Sequence, residues 1–389
     1  MAASPADQGL YLDACATSPP AAEVLAVMAQ AQREAWANPS SLHGFGLAAA
    51  DCLERSRLSI ATSLGCDPLA LTFCSGGTEA AQASLLGAAS TLPVGRLLIS
   101  AVEHPAVVAA ARRLELLGWQ VVAVPVDRLG RVQLEELPRL LAPPTRLVSV
   151  IWGQSEVGTL QPIEAIGALC RAAGVLFHTD AVQVVGHRSI DLATLAVDLF
   201  SFTAHKLQGP RGIGALVASP RLPLAPLVDG GGQEGGRRGG TEAVALAAGF
   251  AEALRLADQR REDYGGDPLV SLRNHLLAEL LSLPGIELSG CPNRRLPHHI
   301  SLLVSSPGGE PLPGRRLVRL LWQEGFAVSS GTACSSGQAT ASPVLLAMGV
   351  DPARASSGLR ISLGPWLTKE DLAPLPAALR RAQRSVTPG

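Results

Sequence analysis

Seven short apolar runs punctuate the middle of the chain, at 69–74, 96–100, 120–126, 146–152, 175–179, 197–202 and 213–218. Each is bounded by turn residues and too short for a helix, so each predicts a strand. Between them apolar residues recur at helical spacing, predicting helices from Ala80 onward, over 105–117, near 134–141 and near 163–173. Strands that are apolar on both faces and separated by helices predict a mostly parallel sheet covered on both sides, an α/β fold. Ahead of this region, 19–36 and 48–64 have helical spacing, with a polar loop, NPSSLHGFG, at 38–46. After it, a long helical pattern runs from Ala243 to about Arg261. The glycine- and acid-rich break at 263–267 marks a domain boundary, and the remainder mixes helices and short strands as a smaller α+β domain does. No internal repeat is visible.

Polar residues gather just after the predicted strands: His104, then Gln154-Ser155-Glu156, then Asp180 and Gln183, then His205-Lys206. In a parallel sheet these positions share one edge, where α/β folds bind ligands. The turn Ser75-Gly76-Gly77-Thr78 joins a strand to a helix, which suits an anion because free N–H groups and the helix dipole point at it. It lacks the Gly-Lys-Ser/Thr of a Walker loop, and a plain turn capped by Thr78 is the competing reading.

Lys206, in SFTAHKLQGPRG, is conspicuous because Lys369 is the only other lysine among 32 basic residues, the rest being arginine. An amine can lose its proton and form a Schiff base with a carbonyl; a guanidinium cannot. A second concentration of chemistry is SSGTACSSGQ at 329–338, where Cys334 lies in a glycine- and serine-rich loop. It is either a nucleophile or a half-buried thiol beneath the loop. Arg360, at the start of a strand pattern, is placed to bind a carboxylate bidentately or to cap the surface.

Composition narrows the classes. The chain has 389 residues, 47% hydrophobic and 17% charged, with a formal net charge of −1. That charge gives no reason to bind nucleic acid or an anionic membrane. No apolar stretch approaches the ~20 residues needed to span a bilayer, and the amino terminus has no secretory pattern, so a cytoplasmic protein is expected. The seven cysteines are scattered without any C-x-x-C pair, so no disulfide framework or zinc site is indicated. In 229–241 glycine is frequent; an arginine-glycine patch for nucleic acid is one reading, and a backbone passing close to a ligand or second subunit the better one.

A Schiff-base lysine, a phosphate turn, an aspartate able to pair with a pyridinium nitrogen and a histidine able to lie over a ring suggest pyridoxal phosphate. Together YLDACATSPP, NPSSLHGFG, SGGTEA, EHPAV, SVIWGQSEVGTLQPI, HTDAVQ, SFTAHKLQGPRG, GGGQEGGRRGGTE, SSGTACSSG and LRISLG, in this order over nearly the whole chain, resemble the NifS/IscS-like cysteine desulfurases of the class V aminotransferase superfamily.

The resemblance implies a fold type I transferase, with a mostly parallel seven-stranded sheet in a large domain (15–262) and a small α+β domain (1–14 and 263–389) carrying the Cys334 loop. It implies that Lys206 bonds pyridoxal phosphate covalently and that Gly77, Thr78, Thr203 and His205 hold the phosphate, with Thr241 of the partner subunit in a homodimer. His104 would stack on the ring and assist proton transfer, Asp180 pair with its nitrogen, and Gln183 and Ser155 lie against it. Arg360 and Asn38 would bind the L-cysteine carboxylate, and Cys334 take the sulfur as a persulfide for a sulfur-acceptor or iron–sulfur scaffold protein. No resident metal is implied, only a transient iron–sulfur contact at Cys334. Three departures stand out: Ser155 and Ala243 where the family has asparagine, and Ala14-Cys15 where Asn or His usually follows the aspartate. A carbon–sulfur lyase or aminotransferase of the same fold, and a weakly active scaffold paralogue, are the competing readings.

Overall fold

The computed structural model describes residues 9–330 and 341–386. Its strands are, in chain order, β1 (Leu10–Tyr11), β2 (Leu71–Cys74), β3 (Arg96–Ser100), β4 (Gln120–Val124), β5 (Thr145–Ile151), β6 (Leu176–Asp180), β7 (Leu199–Thr203), β8 (Gly214–Ala218), β9 (Ile286–Leu288), β10 (His299–Val304), β11 (Phe326–Ala327) and β12 (Gly358–Ser362). The seven apolar runs form one seven-stranded sheet in the order β2-β8-β7-β6-β5-β3-β4. β8 runs against β2 and β7, and every other pairing is parallel.

The sheet divides its side chains between two cores with the period of a strand. On β3, Leu98 joins one core while Leu97 and Ile99 join the other; on β7, Phe200 and Phe202 oppose Leu199; on β8, Ala215 and Val217 oppose Leu216 and Ala218. One core is closed by Ala22–Glu34, Gly44–Leu64 and Val244–Asp263, the other by Gly77–Ala89 and Pro105–Leu116. Except at the edge strand β4, burial on both faces explains why the strands are apolar without alternation. A third core unites Leu12 with residues between Leu269 and Val386, around the antiparallel sheet β12-β10-β9, while β1 pairs in parallel with β11.

Two local expectations change. The 38–46 segment is not all loop, because the helix Gly44–Leu64 begins inside it. His43 caps that helix, its Nδ1 accepting from the Gly46 N–H at 3.2 Å, and a side chain at Gly46 would collide with the Ser41 carbonyl. The stretch near 134–141 splits into a tight turn and the short helix Leu137–Leu140. Pro138, which has no N–H to give, is tolerated only in a first turn. Among the described residues no helix is long and apolar enough to cross a membrane.

The glycine-rich segment 229–241 is anchored by a buried ion pair. Glu234 takes two bonds of 2.9 Å from the Arg57 guanidinium and one of 2.8 Å from the Phe73 N–H. Arg57 also donates to the Leu71 carbonyl at 2.7 Å and lies 4.9 Å over the Phe73 ring. The side chains are 8% and 2% exposed, so removing Glu234 leaves the buried Arg57 guanidinium with the largely exposed Glu54 carboxylate, 3.2 Å from its Nε, as its remaining counter-charge among the described residues. Glu234→Ala is expected to lose about 3 kcal/mol of stability in urea unfolding; an unchanged midpoint would show that the pair anchors nothing.

Candidate functional site

The carboxyl ends of β3, β5, β6 and β7 meet at one edge of the sheet, and register brings their residues into a row. Ile151 of β5 pairs with Asp180 of β6, which pairs with Ser201 of β7. Lys206 follows β7 by one tight turn, Ala204–Lys206. Its Nζ donates to the backbone carbonyls of Cys15 at 2.6 Å and Ala16 at 2.7 Å. Carbonyl oxygens satisfy the amine without neutralising it, so burial dominates and pushes the Lys206 amine down to about 8, with the Arg360 charge adding. The Gln183 amide donates to the same Cys15 carbonyl at 3.0 Å. The chain from Cys15 to Ser18 thus lies across the site, and Ser18 Oγ donates to the His205 carbonyl at 2.8 Å.

Asp180 is buried, and its Oδ1 accepts from the Val182 N–H at 2.9 Å. Burial raises its carboxyl, while the charges of His104 and Lys206 work the other way. His104 caps the helix Pro105–Leu116 through Nδ1, which accepts from the Ala106 N–H at 3.1 Å. This bond assigns the proton of the neutral ring to Nε2, the nitrogen left for other work. Burial lowers the His104 imidazole, the Asp180 charge offsets this in part, and Lys206 adds to it. His205 is held near Thr17, Nδ1 to Oγ1 at 3.1 Å, and burial pushes it down to about 4 with help from Lys206 and Arg211, which leaves it neutral.

At the glycine turn, Gly76 has φ 157° and ψ 179°, a region essentially reserved for glycine. A Cβ on Gly77 would lie 2.8 Å from Val182 Cγ2, so the helix amino terminus approaches the strand-end loop only because Gly77 has no side chain. Thr78 is exposed beside it. The Thr203 hydroxyl is buried and donates instead to the Ile213 carbonyl at 2.9 Å. Glu79 ties this turn to the 229–241 segment, accepting from Ser75 N–H at 2.8 Å and from Arg238 Nε at 3.0 Å. Thr241, at the end of that segment, is exposed.

Arg360, on β12, is brought to this edge from the other core. Its guanidinium donates to Asp13 Oδ1 at 2.7 Å and to the Ser155 carbonyl at 3.0 Å, while the buried Nε–H has no partner among the described residues. A guanidinium has five N–H donors, so capacity for a carboxylate remains. Asn38 is exposed and its Oδ1 accepts from the Ser40 N–H at 2.9 Å. Ser155 offers its carbonyl rather than its hydroxyl, to Arg360 and to His299 Nε2 at 3.0 Å. Cys334 lies outside the described residues. Ser329, five positions before it, exchanges two backbone hydrogen bonds with Arg360, of 3.0 and 2.7 Å.

Five contributors had little or no recognisable sequence signal. The Cys15 and Ala16 carbonyls are invisible because every residue has one. Asp13 is found only through its ion pair with Arg360. Glu103 and Glu156 are buried acids, each with one oxygen lacking a partner among the described residues. Acids beside His104 and Ser155 read as loop polarity until burial is known.

The sequence matches the family described as aminotransferase class-V over residues 10–375. A cysteine desulfurase IscS of Dictyoglomus turgidum is 37% identical over 366 residues, covering 93% of this chain and 91% of the relative. Among solved structures, a NifS-like protein superposes with a TM-score of 0.87 at 33% identity, covering 97% of this chain and 98% of that one. SspA in complex with cysteine superposes with a TM-score of 0.78 at 28% identity, covering 92% and 99%.

The lowered amine can be measured directly. With cofactor-free protein and a small acylating reagent, labelling of Lys206 is expected to rise with pH to a midpoint of about 8, because only the neutral amine reacts. Peptide mass spectrometry separates it from Lys369. A Lys206 midpoint at the ordinary 10.5 would show that the site does not desolvate it.

Proposed function

Because the chain belongs to the aminotransferase class-V family, we propose that it is a pyridoxal phosphate-dependent cysteine desulfurase, converting L-cysteine to L-alanine and taking the sulfur as a persulfide on Cys334. The observation that carries this reading is the convergence of a desolvated lysine, a buried aspartate and a helix-capping histidine on one sheet edge beside a glycine turn. These groups fit the cofactor. A neutral amine suits an aldehyde, the bare amino terminus of Gly77–Ala89 suits a phosphate, and a buried acid suits a pyridine nitrogen.

When bound, pyridoxal phosphate supplies the electron sink that lets the substrate lose its Cα proton. Gly77, Thr78, Thr203 and His205 hold the phosphate in this reading, together with Thr241 of the partner subunit in a homodimer. Thr203 would turn its hydroxyl from Ile213 to do so. Asp180 would keep the cofactor's ring nitrogen protonated, Gln183 and Ser155 would help hold the ring, and His104 would lie beside it with Nε2 available to carry a proton. The Lys206 amine, half neutral near pH 8, is both attachment point and base. Arg360 and Asn38 orient the substrate carboxylate; the structural relative SspA, solved with cysteine, supports a substrate of that chemistry.

Cys334 thiolate attacks the substrate sulfur. A sulfur–sulfur bond forms as the carbon–sulfur bond breaks, and the carbon fragment gains the proton that completes alanine. The persulfide then passes to a sulfur-acceptor or iron–sulfur scaffold protein. The same proposal sets the protein in the cytoplasm and divides it into a large unit (15–262) and a small one (1–14 and 263–389), the latter supported by the separate core around Leu12.

After incubation with L-cysteine, the peptide containing Cys334 is expected to gain the mass of one sulfur, and alanine to appear in step with sulfide once a thiol is added. Cys334→Ala should abolish alanine formation while keeping the visible absorbance of the bound cofactor; Lys206→Ala should lose that absorbance as well. Wild-type turnover in Cys334→Ala would point to the lyase chemistry instead.

A further inference from the structure

Glu103 is a buried acid to which the proposed chemistry assigns no task, although it stands between two groups that the chemistry needs. It follows β3 and immediately precedes His104. Its Oε1 accepts from the Ser100 hydroxyl at 2.5 Å and from the Ile151 N–H at 2.7 Å. Ser100 ends β3 and Ile151 ends β5, and Ile151 is the register partner of Asp180. One carboxyl oxygen therefore bridges the strand end that leads to His104 and the strand end that adjoins Asp180.

The other oxygen, Oε2, is buried without a hydrogen-bond partner among the described residues. Among the described residues no basic side chain forms an ion pair with Glu103. Asp180 differs, because His104 and Lys206 both favour its charged form. A carboxylate at Glu103 would be desolvated, bare on one oxygen among the described residues and repelled by Asp180, and the hydrogen bonds from Ser100 and Ile151 to its other oxygen offset only part of that cost.

We propose that Glu103 is a positioning residue for the reaction, a neutral carboxylic acid that ties the ends of β3 and β5 together and leaves Asp180 as the carboxylate that serves the cofactor. Its role toward the cofactor rests on the desulfurase reading; its charge state does not. Burial pushes the Glu103 carboxyl up to about 8, against the pull of Ser100 and Ile151 and with a contribution from Asp180. Two neighbouring acids whose surroundings differ in this way divide their roles, one protonated and one ionised.

Cofactor-free protein with isotopically labelled histidine, titrated by NMR, reads the charge at Glu103 through its neighbour His104. Asp180 and Lys206, the charged groups acting on that imidazole, are common to every variant. In Glu103→Gln the side-chain carbonyl still accepts from Ser100 and Ile151, so His104 should titrate as in the wild type and turnover with cofactor should stay close to it. In Glu103→Ala the tie is gone, and kcat is expected to fall about 10²-fold with the cofactor still bound. If that variant does not fold, Glu103→Asp, too short to reach both donors, takes its place.

A lower His104 midpoint in Glu103→Gln, the mark of a lost negative charge, overturns the neutral acid. Wild-type turnover in the Ala or Asp variant overturns the positioning role. If the wild type itself releases no sulfide from L-cysteine, the desulfurase reading has failed, and the titration still decides the charge on Glu103.

Discussion

The site depends on keeping the Lys206 amine out of bulk water without handing it a carboxylate. An acid at hydrogen-bond distance would hold the ammonium form and raise its proton affinity. Instead the backbone carbonyls of Cys15 and Ala16 take its hydrogens, which satisfies the polar group but offsets little of the cost of burying its charge. The amine is left poised near neutrality, the condition for a lysine that must react with a carbonyl. The segment from Asp13 to Ser18, remote in sequence from Lys206, is therefore as much a part of the site as the strand-end loops.

The same logic governs the other charges. His205 lies beside the lysine in a neutral form, so it adds no positive charge there. Asp180 receives electrostatic support from His104 and Lys206, while Glu103 sits buried with one oxygen bare among the described residues. Arg360 is ion-paired to Asp13 and hydrogen-bonded to Ser155, which joins β12, the amino-terminal segment and the loop after β5. Because β12 belongs to the core around Leu12 and Leu269–Val386, the packing of that core sets where the guanidinium stands relative to Lys206. The pairing of Ser329 with Arg360 hangs the start of the cysteine segment on the same strand.

Much of this was legible in advance, for identifiable reasons. Apart from the edge strand β4, the strands of the large sheet are buried on both faces, so they appear as unbroken apolar runs. Parallel topology then puts His104, Asp180 and Lys206 at one edge without any knowledge of side-chain geometry. Gly76 and Gly77 were legible because only glycine permits that backbone and that approach. The start of the helix at Gly44 was missed because its cap is a histidine, a residue outside the usual capping set. Thr203 was legible as a residue near Lys206 but not as a donor already committed to Ile213.

The sequence by itself determined the sheet and the edge at which His104, Asp180 and Lys206 gather, and it singled out Lys206 and Cys334 as candidates, because periodicity, glycine placement and the scarcity of lysine are properties of residue order. Only the tertiary structure decided which carbonyls hold Lys206, that Asp13 partners Arg360, and that Glu103 bridges two strands beside Asp180. Each of those facts depends on groups far apart in the chain, or on burial, and neither leaves a mark on local composition. Burial changes what a residue is chemically: the same lysine is a cation on a surface and half neutral near pH 8 at this edge.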